Sequence, residues 1–356
     1  MGGYRILLIK SLKNPEIVSL SSKKCSVKIF MSETVKHGIN YPSYIALSES
    51  GELKERICRA YALLESCTVC PRKCRINRLD DERGYCRTGL LPVISSFGPH
   101  FGEEPPLVGQ KGSGTIFVTH CNLSCEYCQN YDISQCGNGK PVSCETMAGM
   151  MIDLQQRDCH NINLVTPSHI VPQIIRSIGI AAELGLHIPI VYNCGGYDSA
   201  DTLLLLDGIV DIYMPDAKYG SNEVAMALSH APEYVALMKA ALKEMHRQVG
   251  DLVIRNGLAE RGMIIRHLVL PENLAGTDRV LPWIAENISR ESYVNIMNQY
   301  HPAWHTLDDC DSSLLRTLDR RITPEEYRFA VRCALDSSLH RGFQKGFSQR
   351  KDDQKG

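Results

Sequence analysis

The sequence has no excess of charge of either sign. Its 39 Lys and Arg stand against 40 Asp and Glu, a formal net charge of −1. A near-neutral chain has no long-range drive toward a polyanion, so nucleic acid is not expected as a partner. There is no run of about 18 apolar residues, so no membrane span is expected. The short apolar run from Ile6 to Ile9 is broken by Lys10, and no small-residue cleavage site follows. A secretory signal is therefore not expected, and the expected location is cytoplasmic. No segment repeats. With 44% hydrophobic and 22% charged residues, the composition is neither collagen-like nor disordered. A chain of 356 residues easily buries a core.

What the sequence has in quantity is cysteine, 15 in all. A chain this long needs no disulfide staples, and an odd number leaves one thiol unpaired. In a reduced compartment, clustered thiols read as metal ligands. Seven of them crowd into two short stretches, Cys67 to Cys86 and Cys121 to Cys128. The others (Cys25, Cys58, Cys136, Cys144, Cys159, Cys194, Cys310 and Cys333) read as buried small apolar residues.

The texture of the chain divides it into five parts. Residues 1–45 read as a weakly structured leader, and 46–110 as a cysteine-rich accessory region. Residues 111–305 read as the core, 306–341 as a C-terminal helical segment and 342–356 as a disordered tail. Leu53, Ile57, Ala60 and Leu64 have helical spacing within 51–66. The Gly/Pro-rich stretch 98–114 reads as a linker or active-site loop.

Six segments rich in Ile, Val, Leu and Tyr then follow as strands: 115–120, 161–167, 188–196, 210–218, 262–271 and 293–302. Helices are expected at 172–184, 199–206, 232–249 and 278–288. Such alternation predicts an α/β fold, a partial (β/α)6 TIM-like barrel with an N-terminal cysteine-rich extension and a C-terminal helix. Polar residues at strand C-termini line the active sites of such barrels. Thr166, Asn193, Asp216, Lys218, Arg266, His267 and His301 occupy such positions. The C-terminal helix is expected over 323–340, with Thr323 as N-cap and Pro324, Glu325 and Glu326 in its first turn.

The segment HCNLSCEYCQN places Cys121, Cys125 and Cys128 in a C-x3-C-x2-C pattern directly after a strand. Three thiolates on one loop do not close a tetrahedral zinc site unaided. They can hold three corners of a 4Fe–4S cube and leave one iron open, the mark of a catalytic site. The alternatives are a zinc site completed by His120 or another cysteine, and chance clustering.

With Tyr127 before its third cysteine, this segment resembles the signature of the radical S-adenosylmethionine (radical SAM) superfamily. The resemblance spans roughly residues 111–302 and is nearest to relatives of pyruvate formate-lyase activating enzyme. Uncharacterised members of that subgroup also resemble the chain in CPRKCRINR, HFGEEPPL, NINLVTPSH, VDIYMPDAKY, EMHRQVG and IRHLVLP. The resemblance implies an iron–sulfur cluster whose open iron chelates S-adenosylmethionine. One electron then splits the sulfonium into methionine and a 5′-deoxyadenosyl radical, which abstracts hydrogen from a substrate. It also implies a reduced flavodoxin- or ferredoxin-type donor and, in activating enzymes, a glycine on a partner protein as substrate.

Residue by residue, the resemblance puts Tyr127 against the adenine through its backbone or ring, with Asn130 following the cluster. Asp216 and Lys218 match a D-x-K motif near the ribose or carboxylate, Arg266 an I-R motif and His301 a Y-H motif near the adenosyl group. Each also has a plain reading: Asp216–Lys218 as a surface ion pair, Arg266 as a structural ion-pair partner, His301 as a cap or core residue. Two departures stand out. The usual G-G-E that takes the amino group is replaced by Thr166–Pro167–Ser168–His169, leaving Ser168 or a backbone carbonyl for that contact. The third strand ends Asn193–Cys194–Gly195–Gly196 where activating enzymes carry an acidic residue and T-N-G.

Upstream, Cys67, Cys70, Cys74 and Cys86 have knuckle-like spacing, suited to zinc or to a second iron–sulfur cluster. The neighbouring Arg72, Lys73, Arg75 and Arg78 would favour thiolates, or bind an acidic partner, or form a solvated basic loop.

Overall fold

The computed structural model describes residues 42–307 and 313–343. Most of the leader, the stretch 344–356 of the tail, Cys25 and Cys310 lie outside the described residues. Among the described residues nine strands form the sheet: β1 (Val93–His100), β2 (Ser113–Val118), β3 (Lys140–Pro141), β4 (Ile162–Val165) and β5 (Ile190–Cys194), then β6 (Ile212–Pro215), β7 (Val253–Arg255), β8 (Leu258–Leu268) and β9 (Tyr293–Met297).

The order is β3-β1-β2-β4-β5-β6-β8-β7, with β9 also on β8. The strands β2, β4, β5, β6, β8 and β9 pair in parallel, each with the next. They are the six strands expected from the sequence, and they wind in chain order into a partial (β/α)6 barrel. Their buried apolar character fits a parallel sheet covered on both faces, as in β5, where every residue is buried. Three strands escaped the sequence reading. β1 and β3 extend the sheet antiparallel beyond β2, and β7 pairs antiparallel with the start of β8. Each is short or lies in polar, Gly/Pro-rich sequence with no clean alternation.

The main helices are α1 (Tyr44–Ser50), α2 (Glu52–Ala62), α3 (Cys144–Gln156), α4 (Val171–Glu183), α5 (Asn222–Ser229), α6 (Tyr234–Val249), α7 (Thr277–Asn287) and α8 (Pro324–Asp336). The outer core lies between the sheet and this helical layer. It gathers Ile174, Ile175 and Ile178 of α4, Met147 and Met151 of α3, and Met238, Leu242 and Met245 of α6. Each such side chain contributes about 1.5–3 kcal/mol on leaving water. A second, smaller core gathers Leu107, Val191, Ile212, Met214, Leu252, Ala259 and Ile264. Val191, Ile212, Met214 and Ile264 come from three neighbouring barrel strands and share the inner face with Asn193 and Arg266 by the two-residue period of a strand. Leu107 closes this inner floor from the short helix Pro105–Val108.

The stretch 98–114, expected as a linker or active-site loop, holds the end of β1 at His100, this short helix and the start of β2, and between the strands it turns under the barrel. The expected helix at 199–206 is a short helix, Ala200–Leu203, continued by a 3-10 turn through Leu206. At α8 the Thr323 hydroxyl accepts from the Glu326 N–H at 3.3 Å. The Glu326 carboxylate accepts from the Thr323 N–H at 2.7 Å, closing the capping box. Among the described residues no helix is long and apolar enough to cross a membrane.

Candidate active site at the barrel mouth

The three central cysteines sit on the loop that leaves β2 at the C-terminal end of the barrel. The chain turns at His120, whose φ of 71° is left-handed. The Leu123 N–H donates to Cys121 Sγ at 3.4 Å, the Ser229 hydroxyl to Cys125 Sγ at 3.0 Å, and Ser134 Oγ lies 3.1 Å from Cys128 Sγ. Burial pushes the Cys121 thiol well up, and Cys125 and Cys128 push it further. Burial also lifts Cys125, to about 11, against the pull of Lys218. Three thiols that feel one another in this way are a donor set suited to an iron–sulfur cube. Among the described residues no three such side chains are drawn in around one ion position. Thiols that bond different irons of a cube stand wider apart than donors around one ion.

Next to this loop the barrel strands deliver one ion-paired group. Asp216 follows β6 and is 8% exposed. Its Oδ2 takes Lys218 Nζ at 2.6 Å, and its Oδ1 takes Arg266 Nε at 2.8 Å. Arg266 Nη2 also donates to Asn193 Oδ1 at 2.7 Å. Burial pushes Asp216 up, but Arg266 and Lys218 outweigh it and hold the carboxyl below 3.8. Four expected site residues, Asn193, Asp216, Lys218 and Arg266, are thus brought together. Asp216–Lys218 is a buried pair rather than a surface one.

The turn that presents Asp216 depends on two things the sequence reading missed. Tyr234 accepts from the Lys218 N–H at 3.0 Å, and its hydroxyl faces Gly195 O at 2.9 Å. Gly196 has a φ of 72°, and a Cβ there would lie 2.1 Å from Asp216 O, so only glycine fits. His267 backs the same turn: its Nδ1 lies 2.6 Å from Ala217 O and its Nε2 2.8 Å from Thr277 Oγ1.

The remaining expected residues stand apart from this group. Tyr127 is 4% exposed, with its hydroxyl 2.6 Å from Tyr219 and its ring edge-on to Tyr300 at 5.9 Å. Tyr219 in turn lies 2.6 Å from Ser229 Oγ. A chain of hydroxyls thus runs from Tyr127 to the Ser229 that serves Cys125. Asn130 is exposed and caps the turn Tyr131–Ser134 through its carbonyl. Ser168 is buried beside Asp198 and Tyr192, behind β5. His301 turns its Nδ1 to Pro302 O at 3.0 Å.

The four upstream cysteines are also gathered. Burial pushes Cys70 up to about 12, and Cys86, Cys67 and Cys74 add to the rise. Burial likewise outweighs Arg78 at Cys86, so the expected lowering of these two thiols does not occur. The basic run is divided: Lys73 and Arg75 are exposed, as a solvated loop would have them, whereas Arg78 and Arg72 are engaged. Arg78 is 1% exposed, and its guanidinium donates to Gly89 O at 3.1 Å and His169 O at 2.7 Å, 3.9 Å from Cys67 Sγ. Arg72 lies 3.7 Å over the Tyr85 ring and donates to Asn122 O at 2.9 Å, within the central cysteine loop. The accessory region is therefore docked on the barrel mouth beside the central cysteines. All described cysteines are free thiols, and Cys136 is exposed rather than buried as expected.

Fold and site together define an α/β half-barrel carrying a three-cysteine loop and a buried ion-paired group at its C-terminal mouth. No family model matches the chain. It is 32% identical over 288 residues to uncharacterized protein MJ0674 of Methanocaldococcus jannaschii, a match covering 78% of this chain and 76% of that one. It belongs to the family of that protein. Among solved structures it is similar to HydG, a maturase of the [FeFe]-hydrogenase, at 9% identity and a TM-score of 0.42, covering 62% of this chain and 48% of that one. It is also similar to TsrM from Kitasatospora setae, a radical S-adenosylmethionine methyltransferase, at 10% identity and a TM-score of 0.42, covering 64% and 52%. The chain thus spans about half the length of each of these structures.

Proposed function

We propose that the protein is a radical SAM enzyme whose Cys121, Cys125 and Cys128 hold a 4Fe–4S cluster. The observation that carries this reading is the convergence of those three thiols with Asn193, Asp216, Lys218 and Arg266 at one end of the barrel. When bound, the reduced cube supplies the electron that splits S-adenosylmethionine into methionine and a 5′-deoxyadenosyl radical. The protein's own part is to hold and shield. Asp216 anchors Lys218 and Arg266 and so fixes both cations at the C-terminal end of the barrel. Ser229 steadies Cys125, and Tyr127 keeps its ring in the core while its backbone borders the loop. The docked accessory region covers the loop and limits water there.

In this reading His301 and Asn130 border the adenosyl group, and the substrate is a small molecule or a glycine of a partner protein. A flavodoxin- or ferredoxin-type carrier is the reductant, in the cytoplasm. Cys67, Cys70, Cys74 and Cys86 hold a second metal group, zinc or iron–sulfur. Their four thiols suit such a group by chemistry, and Cys86, Cys67 and Cys74 are near enough to raise Cys70, though among the described residues they are not drawn in around one ion position.

Anaerobic reconstitution tests the proposal. The expected result is about four irons at the central site and 5′-deoxyadenosine formation under strong reduction, both lost in Cys125→Ala. A full cluster that yields no 5′-deoxyadenosine, or zinc alone, overturns it. Mixing with a glycyl-radical protein tests the activating role, which requires an organic radical signal.

A further inference from the structure

The turn under the barrel sends two acidic side chains upward into its interior. Glu103 and Glu104 are both largely buried, with side-chain exposure of 10% for Glu103 and residue exposure of 6% for Glu104. They reach the inner face from below, between three strands. Glu103 Oε2 stands 4.0 Å from Arg266 Nη1 of β8. Glu104 Oε1 accepts from Asn295 Nδ2 of β9 at 2.9 Å. Asn163 of β4 lies beside Glu103.

This group is incomplete. Glu104 Oε2 is buried with no hydrogen-bond partner. Asn163 is fully buried, and neither of its amide atoms finds a partner at good hydrogen-bond geometry. Buried polar groups are rarely left so, because each costs about 1–3 kcal/mol. The charges are unbalanced as well. Lys218 is committed to Asp216, and Arg266 is shared between Asp216 and the two glutamates. Burial pushes Glu103 up to about 7, with Arg266 pulling down and Glu104 pushing up. Glu103 and Glu104 are within hydrogen-bond reach of each other, so the pair either keeps one proton or, with both ionised beside part of one guanidinium, is short of positive charge.

A cavity of about 460 Å³ reaches Glu104 from the open side of β9. Tyr293, Asn295, Met297, Gln299 and Phe343 line it, so its walls mix amide and apolar surface. A chain of a few methylenes ending in a cation fits such walls, with the cation at the carboxyl end.

We propose that this lumen site binds a cationic nitrogen, an alkyl ammonium or guanidinium, with Glu104 and Asn163 as its receptors and the cavity beside β9 as its entry. The assignment of that molecule as substrate rests on the radical SAM reading; the binding itself does not. The ligand donates to the free oxygen of Glu104 and to Asn163 Oδ1, and supplies the charge the two glutamates lack. Its apolar stem lies along Met297 and Phe343.

Ligand-observed NMR on the full-length, metal-free protein tests this without any turnover. The probes are n-butylammonium, n-butylguanidinium, n-butanol, butyrate and a blocked lysine (N-acetyl-lysine methylamide). The expected result is at least ten-fold tighter binding of the cations than of butanol, with no binding of butyrate. Tighter binding of the blocked lysine than of butylammonium places the cation on a peptide side chain; equal binding places it on a free amine. Glu104→Gln should weaken cation binding at least ten-fold. Asn163→Ala trims a buried side chain that lies beside Glu103 and makes no well-formed hydrogen bond, so it should keep its fold by circular dichroism and still weaken the cations several-fold. Butanol binding as tightly as butylammonium, or cation binding unchanged in folded Glu104→Gln or Asn163→Ala protein, overturns the proposal. Because no cluster is present, failure here leaves the radical SAM reading standing, and failure of that reading leaves this one.

Discussion

Arg78, from the four-cysteine knuckle, donates to the main-chain oxygen of His169 across 91 residues of sequence, at 2.7 Å. His169 Nε2 in turn faces Thr119 O, two residues before Cys121, at 3.2 Å. The two cysteine groups are therefore joined through one guanidinium and one imidazole, both buried. Burial and the adjacent Arg78 push His169 down to about 3, so its ring stays neutral.

Arg78→Met keeps the length of the side chain but leaves Gly89 O and His169 O without their donor. Unpaired buried carbonyls cost about 1–3 kcal/mol each. A loss of about 2–5 kcal/mol in urea unfolding is expected. Arg75→Met, on an exposed side chain of the same run, should change stability by less than about 0.5 kcal/mol.

Asp216 carries the second prediction. Asp216→Asn leaves Lys218 and Arg266 buried without their counter-charge, at an expected cost of about 3–5 kcal/mol in denaturant unfolding. Lys218→Met should cost less, because Arg266 still satisfies the carboxylate. Equal losses would show that the carboxylate is not the centre of the group.

The barrel was legible because each of its six parallel strands is a short apolar run after which the chain turns polar, and α8 because Thr323 and Glu326 spell a cap. The cysteine spacing marked both thiol groups. Asp216, Lys218, Arg266 and Asn193 were found because polar residues at strand C-termini converge in any such barrel. The glutamates of the HFGEEPPL segment were not found as site residues. They sit in a Gly/Pro-rich stretch, and only the fold shows that this stretch passes beneath the barrel and sends them inward. Tyr219, Ser229 and Tyr234 were missed for a similar reason. Each serves the site through a hydroxyl at the end of a side chain whose ring or backbone reads as ordinary core. Ser168 and His301 were placed by motif position alone; in the structure Ser168 lies beside Asp198, and His301 turns its Nδ1 to Pro302 O.

Acid sensitivity follows from His267. Burial pushes its pKa from 6.5 down to about 4, with Ala217 O and Asp216 only partly offsetting this. The unfolded chain binds a proton at this residue below about 6.5, whereas the folded chain does not until about 4. Stability is therefore lost as the pH falls through that window, by at most about 1.4 kcal/mol per unit. His267→Gln should flatten the stability profile between pH 6.5 and 4 relative to the parent protein, as read by urea midpoints across pH. A profile of unchanged slope would show that His267 titrates normally.

The upstream thiols yield a test that separates the two metal groups. A Cβ at Gly84 would lie 2.8 Å from both Cβ and Sγ of Cys74. Real Cβ atoms do not come that close, so Gly84→Ala must displace Cys74 and spoil a four-thiol site while leaving Cys121, Cys125 and Cys128 untouched. Metal analysis of the anaerobically reconstituted variant should show loss of the upstream metal, either one zinc or a cluster of iron, with the central iron retained. Cys125→Ala should do the reverse. Loss of both groups in Gly84→Ala would mean that they assemble as one unit through Arg78 and His169. A reconstituted parent protein that carries no metal beyond the central iron would mean that Cys67, Cys70, Cys74 and Cys86 hold none and serve only to pack the accessory region against the barrel.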